Sequence, residues 1–97
     1  MAEHVRVVTF EADDAALEAL LNRIDADDGA PEGVPATRIT VLADRVAGKV
    51  AVAVRFGSEE DLRIGAATLE AMSPPDVGTM SRVSVDSYEV VLERDAS

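Results

Sequence analysis

Residues 71–92 read AMSPPDVGTMSRVSVDSYEVVL, and their reading decides how the fold closes. The stretch opens as the end of a helix. It stops at Pro74 and Pro75 and resumes as a β-branched run, a strand expected over 81–93. Val83 and Val85 share one phase, whereas Tyr88, Val90 and Leu92 take the other. A period of two sends these sets to opposite faces of a sheet. The phase change predicts a bulge or bend near Asp86–Ser87. On that reading the first half of the strand completes its own sheet, and the second half swings across to a partner subunit.

Upstream of this strand, SEEDLRIGAATLEAM at 58–72 has the marks of a helix. Ser58 caps it, and Glu59, Glu60 and Asp61 place negative charge in the first turn, where the backbone dipole favours it. Leu62, Ala66, Leu69 and Met72 or Ser73 form one stripe. Gly65 and Ala66 are small enough to let a sheet approach closely. Before it, KVAVAVRF at 49–56 alternates strictly and reads as a strand. The RVAG turn joins it to a second strand, RITVLAD at 38–44, and the short link makes the two a hairpin. DDAALEALLNRIDA at 13–26 is a helix capped by Asp13, with Leu17, Leu20, Leu21 and Ile24 at helical spacing. DDGAPEGVP ends that helix. HVRVVTFE at 4–11 is the first strand, with Val8 and Phe10 on one face and Val5 and Val7 on the other.

The order β-α-β-β-α-β predicts a ferredoxin-like α+β protomer, an antiparallel sheet with two helices on one face. At 97 residues the chain is expected to be one domain spanning 1–97. A chain of this size supports one modest core. Aromatic residues make up only 3% of it, so the core must be aliphatic.

The formal charge is −10, from 19 acidic and 9 basic residues, and no Lys/Arg cluster offsets it. Nucleic acid and anionic membrane surfaces are therefore not expected as partners. The absence of cysteine excludes disulfides, thiolate metal sites and cysteine nucleophiles. The opening MAEHVRVVTFEADD lacks the pattern of a signal peptide, and no apolar run nears the ~20 residues of a membrane span. The expected location is the cytoplasm.

Two helices cover one face of a four-stranded sheet, and the other face of a monomer should be polar. Here the first strand offers apolar groups on both sides, the second has Leu42 opposite Ile39, Val41 and Ala43, the third puts Ala51 and Ala53 on its second face, and the last strand uses both faces in sequence. A second copy of the chain is the expected cover.

The element order, the SEEDLRIGAATLEAMSPP helix with its proline stop, and the closing RVSVDSYEVV resemble the antibiotic biosynthesis monooxygenase-like family of the dimeric α+β barrel superfamily. The resemblance covers most of the chain. It implies a homodimer whose two sheets face each other as a barrel. Some members oxidise polyketide-type aromatics with oxygen and no metal or flavin; others degrade haem. Members that do such chemistry typically use a Trp with Asn, His or Tyr partners. This chain has no Trp, and Asn22, His4 and Tyr88 are its only residues of those three types. No complete catalytic set carries across.

Tyr88 and His4 are the catalytic candidates: a phenol that can donate a hydrogen bond and an imidazole that can act as a base near neutral pH. Their ordinary alternatives are a buried interface aromatic and an exposed residue at the start of a strand. Arg38, Arg55 and Arg82 can meet an anion or pair with acids such as Asp44 or Asp86 across strands. DADDG at 25–29 lacks calcium-loop spacing and reads as a solvated helix end. Met72 and Met80 suit a pocket mouth or core gaps. No metal site and no cofactor-binding residues are expected. The leading expectation is a homodimer holding a small apolar ligand between sheet and helices, without metal or flavin. The alternatives are a cofactor-independent monooxygenase acting on aromatic polyketide-like substrates, and a protein-interaction module.

Overall fold

The computed structural model describes residues 2–26, 33–71 and 81–96. The elements are β1 (His4–Glu11), α1 (Asp14–Ala26), β2 (Ala36–Asp44), β3 (Lys49–Phe56), α2 (Glu59–Ala71) and β4 (Ser81–Glu89). The strands form one antiparallel sheet in the order β2-β3-β1-β4. This is the ferredoxin-like α+β arrangement that the element order predicts.

Local chemistry starts both helices. Asp13 Oδ1 accepts a hydrogen bond from Ala16 N at 2.8 Å, and Ser58 Oγ accepts one from Asp61 N at 3.1 Å. Each side chain thus satisfies a backbone donor that the helix itself leaves unpaired. The β2–β3 turn is fixed by Asp44 Oδ1, which accepts from Ala47 N at 3.0 Å, and by Gly48 at φ 69°. That left-handed conformation suits glycine.

The core lies between the helices and β3. Strict alternation sends Val50, Val52, Val54 and Phe56 toward the helices. Leu17 and Leu20 of α1 pack with Val50 at one end; Leu62 and Leu69 of α2 pack around Val54 and Phe56 at the other. Val52 touches both groups. Phe56 is 0% exposed and sits directly against Gly65. A Cβ on Gly65 would lie 2.3 Å from Phe56 Cε1, so the glycine sets how closely α2 sits on the sheet.

Three boundaries depart from expectation. β2 begins at Ala36, two residues early, because Ala36 already pairs with Phe56. β4 ends at Glu89, not 93; beyond it the last main-chain bond runs from Val90 N to Glu3 O. The irregularity in β4 is not at Asp86–Ser87. Those two residues pair regularly with Val7 and Arg6, and the register shifts only where Thr9 meets Ser84 and Phe10 meets Arg82, leaving Val83 as the extra residue. The opening phase change therefore needs no bend. Val85, opposite Val8, faces the helices, and Tyr88, opposite Val5, faces away. Asp86–Glu89 pair within their own sheet and do not swing outward. The 25–29 cluster lies partly outside the described residues, as do Met72, Met80 and the proline stop.

Candidate functional site

The register places the residues of the open face in four rows across β2, β3, β1 and β4. The first row is Arg38, Arg55, Val5 and Tyr88. The second is Thr40, Ala53, Val7 and Asp86, and the third is Leu42, Ala51, Thr9 and Ser84. Asp44, Lys49 and Glu11 form the last row, with Ser81 beside Glu11. The middle of the face is small or apolar. Leu42 is 55% exposed and Tyr88 57%, on the two edge strands. The apolar residues of this face are Val5, Val7, Leu42, Ala51, Ala53 and Tyr88, and polar residues occupy the other positions of the four rows. Val91 and Leu92, just past β4, are also exposed.

A charged cleft closes the first row. Glu3, Thr37, Arg38, Arg55 and Glu93 line a space of about 230 Å³. Arg55 is its centre. Its NH1 and NH2 each donate to Glu93 at 2.6 Å, and NH2 also donates to Glu3 Oε2 at 3.0 Å. This forked pairing is the strong form of a guanidinium–carboxylate contact. It raises the Arg55 pKa and holds the Glu93 carboxyl below the ordinary carboxylate range, through the Arg55 hydrogen bond first and its charge second. Thr37 Oγ1 donates to the Arg55 carbonyl at 3.3 Å, tying β2 to β3 at the rim. Arg55 Nε is buried without a hydrogen-bond partner among the described residues. Arg38 is exposed and makes no side-chain hydrogen bond or ion pair among the described residues, although its charge also acts on Glu93.

A second cluster lies on the helix side. Arg6 occupies the apolar phase of β1, 5% exposed, and pairs with Glu70 near the end of α2. Glu70 also accepts from Arg82 NH2 at 3.0 Å. Its carboxyl is held below its ordinary range by Arg82 and then by Arg6. One carboxylate thereby ties β1 and β4 to α2, and a charge inside the fold needs such a partner.

The two catalytic candidates do not meet. Tyr88 sits beside Val5 on the open face, whereas His4 shares the helix-side face with Arg6, opposite Glu89 and Phe56. The arginines also find partners other than those expected. Arg55 takes acids from the two terminal segments, and Arg82 takes one from α2. Asp44 and Asp86 pair with neither: both lie on the open face in rows other than that of Arg55, and Arg82 is on the helix-side face. Arg6 is not among the residues the sequence reading singles out, although a charge in the Val8–Phe10 phase is the signal that marks it; Glu3 and Glu93 carry no sequence signal of their role. Among the described residues, no three His, Cys, Asp or Glu side chains group as a metal site, and no helix is long and apolar enough to cross a membrane.

Comparison with protein-family models, with curated proteins and with solved structures finds no match to this chain.

Proposed function

We propose that this chain is a homodimer of the dimeric α+β barrel kind, resembling the antibiotic biosynthesis monooxygenase-like family, and that it holds a small apolar ligand. A second copy covers the open sheet face, and the ligand lies over that face. The observation that carries this reading is the face itself, with Val5, Val7, Ala51 and Ala53 on its two central strands and Leu42 and Tyr88 standing exposed on its edge strands. On the other side of the sheet, Phe56, Val50, Leu17 and Leu20 fill the layer over β3 among the described residues, which favours the open side for a ligand.

Area favours a second copy as the occupant. Strand spacing and rise give a four-stranded face of this length about 500 Å². Two such faces together bury about 1,000 Å², the lower bound for a stable interface. Val91 and Leu92 add apolar surface at its edge. The small residues at the centre leave space between two facing sheets, which is where an apolar molecule fits.

The test is to place a charge on the face and another off it. Leu42→Asp should elute from a sizing column as one copy while the wild type elutes as two. Val46→Asp, in the fully exposed turn, should leave the wild-type elution unchanged. If Leu42→Asp elutes with the wild type, the face is not the interface. Titration with 1-hexanol should raise the melting temperature of the wild type, as mass action requires of anything that binds the native state alone. The oxygenase alternative draws no support from the placement of Tyr88 and His4 on opposite faces. It would return if Tyr88→Phe abolished oxygen consumption with an aromatic phenol.

A further inference from the structure

We propose that the Arg38–Arg55 cleft is a binding site for the carboxylate of a small apolar acid, and that Glu93 of the same chain occupies it in the absence of that acid. This rests on the apolar-ligand reading for the body of the ligand, and on the cleft alone for its head group.

The cleft already holds a carboxylate. Both Glu93 oxygens lie 2.6 Å from Arg55 nitrogens, so the guanidinium is set at the distance and orientation that a carboxylate requires. The occupant comes from the segment after β4. That segment is tied to the sheet at Val90 and has no strand pairing beyond it among the described residues, so Glu93 is replaceable in a way that a strand residue is not. Arg55 itself is fixed, since its side chain is 16% exposed and Glu3 holds its other edge. Arg38 adds a second cation on the rim with no ion pair among the described residues. Two cations at one point are unusual in a chain of charge −10 that has no other Arg pair on this face.

The surroundings define the rest of the ligand. Val5 lies beside Arg55 in the same row and Ala53 follows it on the same strand, so an apolar body extends from the head group onto the middle of the face. The volume of about 230 Å³ is below the ~300–1,000 Å³ of ordinary ligand pockets. It fits a head group, and the apolar body lies outside it over Val5 and Ala53. Phosphate is disfavoured because Glu3, which stays on Arg55 when Glu93 leaves, repels a dianion more than a monoanion.

Hexanoate, 1-hexanol and acetate separate the contributions of head and body. Binding is read by chemical-shift changes of the full-length protein, at the Arg38 and Arg55 side-chain N–H groups and at Val5. Hexanoate should bind the wild type at least about tenfold more tightly than 1-hexanol does, because a charge-assisted fork is stronger than a neutral contact. Glu93→Gln should tighten hexanoate by about tenfold by weakening the competitor, and Arg38→Gln, at an exposed site, should weaken it. Acetate should bind more weakly than hexanoate. If hexanol equals hexanoate, or if Glu93→Gln leaves hexanoate binding unchanged, the head-group site is wrong while the apolar-ligand reading stands. If neither hexanoate nor hexanol binds the wild type or Glu93→Gln, both are wrong.

Discussion

Phe56 is fully buried and Gly65 lies directly against its ring. Alanine at 65 would gain ~1 kcal/mol of helix propensity. It would also drive a methyl group to 2.3 Å from a ring that has no exposed side to move into. Overpacking of that kind costs ~1–3 kcal/mol, so Gly65→Ala should lower stability by up to ~2 kcal/mol net in urea unfolding. A rise in the urea midpoint would show that α2 sits less tightly than described. The Arg6–Glu70–Arg82 cluster makes a prediction with pH. The Glu70 carboxyl titrates below its ordinary range when folded, held there by Arg82 and then Arg6. A group of this kind contributes fully above its unfolded pKa of about 4.3, and the contribution is lost as pH falls through the lower folded value. Glu70→Gln should therefore melt lower than the wild type near neutrality, and the two melting curves should converge in acid. Parallel curves across that range would remove the cluster from the account. The small residue at 65 could be read from the sequence as a close approach, but the ring it meets could not, since Phe56 lies on a different element.

Among the elements, the helices were the most legible and β4 the least. Each helix announces its start with a side-chain oxygen three residues ahead of the amide it accepts from. Ser58→Ala should cost ~0.5–2 kcal/mol, measured by thermal or urea unfolding, and Ser58→Asp should retain most of that stability. An unchanged Ser58→Ala variant would mean that the Ser58 hydroxyl contributes nothing to the cap. In β4 the alternation was read correctly as serving two faces, but the reason given for it was wrong. A strand whose two faces are both in demand shows apolar residues in both phases with no break between them. Val83, where the register does shift, looks like any other valine in the sequence. The end of β4 was overrun because Val90, Val91 and Leu92 have strand-like composition. Composition does not show that the main-chain pairing stops near Glu3.

At the scale of the molecule, the order of elements was legible because hydrophobic period and turn chemistry agree along the chain. The charged cleft was not, because it joins residues 3, 37, 38, 55 and 93, which only the folded sheet brings together. The open face was legible as an excess of apolar residues for a sheet that has two helices on one side. Its cover is an assembly property, and charge gives it a signature. Each copy brings a formal −10, so two copies repel one another and salt screens that repulsion. Association driven by the apolar face should therefore strengthen as salt rises, whereas association driven by ion pairs would weaken.

The most direct measurement is molar mass by sedimentation equilibrium, across a range of protein concentration and salt. The account predicts a species of twice 10.2 kDa whose dissociation constant falls as salt is raised. A species of 10.2 kDa at every concentration and salt would contradict it, and would leave the open face to a different partner.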